Sequence, residues 1–254
     1  MSRAFLGRGL VLAGIVAGLL AVSLPFADET RYVDDGTTAA FLIVLLSFTS
    51  LLPAEIGRDL VAAAAGSAAF GFFLVIPSIY AFDSFGRLES GAWLGVCTGL
   101  IPLGALLVLA AEGTAARTPA VGRGPSLLIA TVGLVLVAVG IWLDLGSDGP
   151  TYWNASSSGH AAGLLLIVLV LADSALLAGA AHSSARVGDV VVLAAAATFG
   201  FTVFAVVAGA FDDFGTLGAG AWIEACGGVL LLGGGVLPQL LRSRAATPEA
   251  APAT

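Results

Sequence analysis

Lysine is absent from this 254-residue chain, histidine occurs twice and methionine only at position 1. Each shortage removes a class of chemistry. Without lysine there is no Schiff base to retinal or pyridoxal phosphate and no phosphate-loop ammonium. His160 and His182 stand at opposite ends of one apolar stretch, so a bis-histidine haem finds no second ligand at the same depth. No cofactor and no bound metal is expected. An enzyme is not expected either, because no Ser/His pair, Cys/His pair or metal cluster gathers at one depth.

Charge is scarce as well. Only 11% of residues are charged, against roughly 25% in soluble domains. Ten arginines face seventeen acids, giving a net charge of −7 and an isoelectric point near 4.6, which argues against a nucleic-acid partner. Cys97 and Cys226 are the only cysteines, both lie in apolar runs outside any CxxC pair, and both are read as small buried packing residues.

What is present in quantity is apolar surface: 58% of residues, with a mean hydropathy of +1.02. Crossing about 30 Å of hydrocarbon takes about 20 apolar residues in a helix. Eight stretches come close, near 6–26, 38–53, 60–82, 91–111, 126–145, 161–181, 189–210 and 218–240. The second is shortest and stops at Pro53. The first begins like a signal peptide, with Arg3 and Arg8 ahead of the apolar run. Pro25 suits cleavage after Ala27 poorly, however, and Gly7-Arg8-Gly9 is echoed by Gly122-Arg123-Gly124 before the fifth segment. It is read as a retained helix.

The chain repeats itself. Phe82-Asp83-Ser84-Phe85-Gly86 and Gly91-Ala92-Trp93 return as Phe211-Asp212-Asp213-Phe214-Gly215 and Gly220-Ala221-Trp222. Trp93 and Trp222, Cys97 and Cys226, and Phe70-Gly71-Phe72 and Phe199-Gly200-Phe201 share one spacing of 129 residues. Four helices per repeat is an even number, so both halves insert in the same direction and are related by a pseudo-two-fold axis along the membrane normal. The fold class expected is therefore all-α: a polytopic integral membrane protein of eight transmembrane helices in two parallel four-helix repeats, residues 1–115 and 116–244. Residues 245–254 form a disordered cytoplasmic tail.

Arginine placement sets the orientation. Arg3, Arg8, Arg58, Arg117, Arg123, Arg186, Arg242 and Arg244 fall on one side and only Arg31 and Arg87 on the other, which makes both termini cytoplasmic in a cell-membrane protein. The outer side then carries most of the acids and the four tryptophans. It also carries the longer Gly146 to Ser158 loop, with Asn154-Ala155-Ser156 as a glycosylation pattern.

Two carboxylates stand out. Asp173 falls inside the sixth apolar segment, where an ionised group would cost several kcal/mol and no basic residue shares its depth. It must be neutralised or paired. Ser174 adjoins it, and Thr49 and Ser50 occupy the comparable stretch of the first repeat, so two polar patches facing each other across the axis would form a central relay or binding site. Glu224, two residues after Trp222, breaks the symmetry because its counterpart is Gly95; near a helix start it is expected to reach water or a cavity. Asp83, Asp212 and Asp213, in the repeated turns, are candidates for an acidic outer entrance. The expected function is movement of a small solute or cation between the two halves of a bilayer-embedded protein. The alternative is a non-catalytic membrane subunit or scaffold that packs against the helices of a partner protein.

Overall fold

In segments this apolar, backbone N–H and C=O groups must find partners within the segment, and the helix is the form that supplies them. The computed structural model describes residues 3–34, 36–47, 58–80, 85–98, 125–145, 151–153, 157–182, 186–209 and 217–246. The described residues are mostly helical and hold eight helices. They are α1 (Arg3–Ser23), α2 (Gly36–Ser47), α3 (Arg58–Tyr80), α4 (described over 90–98), α5 (Pro125–Gly140), α6 (Ser157–His182), α7 (Arg186–Gly209) and α8 (Ala219–Ala246). Pro125 opens α5 at the position where its missing N–H costs nothing. Beyond Gly140 the chain tightens into i→i+3 bonds, with Trp142 N–H donating to Val139 O at 3.1 Å and Leu143 N–H to Gly140 O at 2.9 Å. Pro77 lies inside α3.

One element departs from the all-α expectation. Pro25–Ala27 (β1) and Thr30–Arg31 (β2) pair as an antiparallel hairpin after α1. Its tip residues Asp28 and Glu29 have φ of 49° and 66°, the left-handed geometry that two-residue hairpin turns demand and that Asn-Gly usually provides. Tertiary contacts hold these non-glycine residues there. Glu29 N–H donates to the Glu89 carboxylate at 2.9 Å, and the Arg87 guanidinium forks onto Asp28. Ala27 bridges to Leu88, so the hairpin is tied to the short turn Phe85–Arg87 that precedes α4. The Asp28 carboxylate raises the Arg87 pKa above its ordinary value, chiefly through that hydrogen bond.

Packing within the bundle repeats with the halves exchanged. α3 lies along α7, and the tightest approach is backbone against backbone: a methyl on Gly71 would fall on the carbonyl of Ala197, and one on Gly200 on the carbonyl of Ala68. Residues 71 and 200, and 68 and 197, are each 129 apart, so these two contacts are one contact seen from both ends. Phe72 and Phe204 meet across the same seam with ring centroids 4.9 Å apart, tilted by 57°. In all three pairs the partners are 126 or 132 residues apart, one helical turn either side of the repeat spacing. Helices lying antiparallel would instead shift by two turns between the glycine contacts and the phenylalanine contact.

The end carrying the hairpin shows the same correspondence. Glu89 N–H donates to Phe26 O at 2.9 Å, and Gly218 N–H to Leu145 O at 2.8 Å. Gly91 abuts the carbonyls of Leu24 and Pro25 as Gly220 abuts those of Leu143 and Asp144. The first helices of the halves therefore match at a spacing of 119, not the 115 that the two Gly-Arg-Gly triplets imply. Gly7 corresponds to Ser126, and the triplet echo is a coincidence of composition. The ten-residue difference between 119 and 129 falls after α5, before α7, which includes the longer loop.

Side-chain size is distributed inside out. The buried positions of α5 are Ser126, Ala130, Gly133, Val137 and Gly140, whereas Leu128 (66% exposed), Val132, Val135, Val139 and Trp142 (64% exposed) face outward. On α6, Leu164, Val168 and Leu171 do the same. Among the described residues, His160–Gly179 is the stretch long and apolar enough by length and composition to cross a membrane; α1, α3, α5, α7 and α8 hold shorter apolar stretches. The two cysteines are free, but Cys97 is half-buried and Cys226 exposed, because position 226 turns away from the α8 faces that meet α5 and α7. The expectation that both are buried fails for that reason.

Candidate functional site

Asp173 sits two-thirds of the way along α6, 2% exposed. Its carboxylate accepts a 2.6 Å hydrogen bond from the hydroxyl of Thr198 on α7, itself buried. The partner is thus a neutral donor on the next helix of the same half. Ser174, half-buried, turns its hydroxyl back to Val170 O at 2.7 Å and adds no contact to the carboxylate. Thr49 and Ser50, expected to face Asp173 across the axis, lie outside the described residues, as do Asp83, Asp212 and Asp213 of the expected outer entrance.

Glu224 does not reach water. It lies in the second turn of α8, 1% exposed, where Gly140 of α5 makes room for its side chain. A methyl at 140 would collide with the Glu224 stem. One carboxylate oxygen accepts from the phenol of Tyr152 at 3.1 Å, and the other, Oε1, is buried with no hydrogen-bond partner among the described residues. The expectation of solvent contact is corrected by Tyr152, which drops from the α5–α6 connection into the bundle and covers the carboxylate. Burial, and then the neighbouring Glu224, pushes the Tyr152 phenol well above the ordinary tyrosine range, so it is held as a hydrogen-bond donor. Tyr152 packs against Gly163 at the start of α6. Beside it, Trp153 stacks on Trp142 at 5.1 Å, and its backbone carbonyl lies 2.7 Å from the His160 imidazole Nε2. Since a carbonyl only accepts, His160 Nε2 is the donor there.

The first half is built differently at the same positions. Gly95 replaces Glu224 and Phe73 replaces Thr202, with Phe73 filling the space above Gly95. Tyr32, which follows the hairpin, meets Phe73 edge-on at 5.0 Å and its hydroxyl has no partner among the described residues. Ala69 stands where the second half has Thr198. Large-with-small in one half becomes small-with-large in the other, and where the first half is apolar the second buries four polar side chains, Glu224, Thr202, Thr198 and Asp173.

The two carboxylates are not brought together. At 1.5 Å per residue, Glu224 lies about 8 Å and Asp173 about 24 Å from the starts of their helices, both at the hairpin end. Sequence reasoning found both acids and missed Tyr152, Thr198 and Thr202. The signal for the two threonines was available, since each replaces an apolar residue of the first repeat; nothing marked Tyr152.

No family model, curated protein or solved structure matches the chain.

Proposed function

We propose that the chain is a polytopic membrane protein of two parallel four-helix repeats that passes a small cation, and that the path follows the buried polar side chains of the second repeat. The outward-facing Leu and Val stripes of α5 and α6 support the membrane setting: a helix that buries Gly, Ala and Ser and exposes its large apolar side chains suits lipid, not water. The paired Gly71/Ala197 and Gly200/Ala68 contacts support the parallel pseudo-two-fold relation. They also close the α3–α7 seam, so a path between the halves at that line gives way to one beside α6, α7 and α8. The carrying observation is Asp173: a buried carboxylate in the most clearly membrane-length helix, held by a single neutral hydroxyl. Intramembrane acids without a basic partner mark ion or proton pathways.

Reconstituted vesicles test this. Wild-type protein is expected to dissipate an imposed cation or proton gradient, and Asp173→Asn, which keeps the shape of the side chain, to lose that flux while remaining folded. Full flux through the asparagine variant removes Asp173 from the path. Extraction of the protein from native membranes by alkaline carbonate would remove the polytopic reading altogether.

The second reading, a membrane subunit without transport, draws on Gly179 and Gly233. Both lie in helices, and a methyl at either would meet nothing within 4 Å. Among the described residues nothing packs against either glycine, and small residues on a helix exterior let a partner helix approach. Co-purification of a stoichiometric membrane partner, lost in Gly233→Leu, together with flux-free vesicles would favour it.

A further inference from the structure

We infer that Glu224 and Tyr152 form a buried one-proton site at the hairpin end of the second repeat, with the proton carried on Glu224 Oε1. The inference rests on the membrane reading above and names the cation of its outer station.

Glu224 is 1% exposed, its Oε2 is engaged by a single neutral phenol, and its Oε1 has no partner among the described residues. An ionised carboxylate so placed would keep a bare buried oxygen, at a cost of several kcal/mol. Protonation removes that charge and uses the free oxygen. The titratable groups around it are few. α5 has none in Pro125–Gly140, and among the described residues of the connecting segment Tyr152 is the one hydrogen-bonded to the carboxylate. Asp144, beyond α5, is exposed and sets its backbone carbonyl against Gly220. No basic side chain among the described residues is bonded to Glu224, so a proton is what the site is equipped to hold. A metal cation would ask for a shell of oxygens, whereas one carboxyl and one phenol suffice for a proton.

The comparison between repeats points the same way. At the equivalent place the first half has Gly95, Phe73 and Tyr32, a hydrophobic plug under the same loop tyrosine. Room for Glu224 in the second half requires glycine at 140 and threonine in place of phenylalanine at 202, two concessions that packing alone does not need. Tyr152, from the connecting segment and not from a helix, is the neutral donor that fixes the other oxygen, Oε2. In the loading step a hydronium O–H bond breaks, an O–H bond forms on Oε1 and water leaves.

Infrared spectroscopy of the full chain in lipid tests the site without depending on flux. The wild-type spectrum is expected to contain a carboxylic-acid C=O stretch at neutral pH that Glu224→Gln removes and that Tyr152→Phe shifts, through loss of its hydrogen bond. Asp173→Asn is expected to leave that band in place. If Glu224→Gln subtracts a carboxylate band instead, or Tyr152→Phe leaves the acid band unmoved in a folded protein, the site is overturned. Gel filtration and thermal unfolding establish folding for each variant. Wild-type vesicles that pass no cation would remove the transport reading while leaving the proton site standing on its own spectrum.

Discussion

At the scale of single residues, what counts is whether a buried polar atom has a partner. Thr198 donates at 2.6 Å to Asp173 inside the bundle, whereas Thr202, equally buried, returns its hydroxyl to Phe199 O in its own helix at 3.1 Å. Thr198→Val is therefore expected to destabilise the protein by about 1–3 kcal/mol, the cost of leaving a buried acceptor unsatisfied. Thr202→Val is expected to cost less, because it strands no other side chain. Thermal unfolding in one detergent compares them, and equal losses would show that Asp173 draws nothing from Thr198. Tyr32 and Tyr152 supply a pH test. Burial raises both phenols above the ordinary range, with Glu224 adding to the effect at Tyr152. A raised pKa favours the neutral form in the folded state, so this stability is intact below the unfolded tyrosine value near 10 and drains away as pH climbs beyond it. Ultraviolet titration is expected to show two of the three tyrosines ionising late and together with unfolding. Early ionisation of both would contradict their burial.

At the scale of helices, close approach rests on residues that lack a side chain. Gly71→Ala and Gly200→Ala would each set a methyl against a backbone carbonyl across the α3–α7 seam, and backbone cannot rotate aside as a side chain can. Each is expected to cost at least the 1–3 kcal/mol typical of overpacking, and the two costs to be similar because the contacts are equivalent. Gly179→Ala, with open space around it, is expected to stabilise α6 by about 1 kcal/mol through helix propensity. Unfolding midpoints that rank Gly179→Ala with the seam variants would refute this account. The seam also shows what the sequence could and could not reveal. Apolar length located the helices seen among the described residues, and identical residues at constant spacing pointed to α3, α4, α7 and α8 as counterparts. The first helices share almost no identities, so their register of 119 emerges only from hydrogen bonds such as Gly218 to Leu145. The hairpin was illegible because its tip, Asp28-Glu29, lacks the glycine that marks a two-residue turn and is held left-handed by contacts to Arg87 and Glu89 some 60 positions away. Burial of Glu224 was illegible for a related reason: its partner Tyr152 is 72 residues distant, and proximity in the chain to a helix start suggested solvent.

At the scale of the whole molecule, charge and aromatic placement bear on orientation. The hairpin, Arg87, Asp144, Trp142 and the Trp153 stack gather at one end of the bundle, while Arg58 and Arg186 open α3 and α7 at the other. Eight of the ten arginines belong to that second side by the sequence count, and arginine is retained on the cytoplasmic face during insertion. The hairpin end is thus expected to face outward, and with it the Glu224–Tyr152 pair. Cysteine accessibility decides the matter in a background from which Cys97 and Cys226 have been removed. A Ser157→Cys variant, at the start of α6, is expected to react with a membrane-impermeant maleimide in intact cells, whereas a Ser243→Cys variant near the end of α8 is expected to react only after the cells are opened. The reverse pattern would invert the molecule, placing Glu224 next to the cytoplasm and making Asp173 the acid nearer the outside. Labelling of both positions from one side would be more serious, since α6 starts and α8 ends on opposite faces in any eight-helix arrangement whose helices alternate in direction. That outcome would dismantle the pairing of α5–α8 with α1–α4 as parallel repeats, along with the path drawn through the second of them.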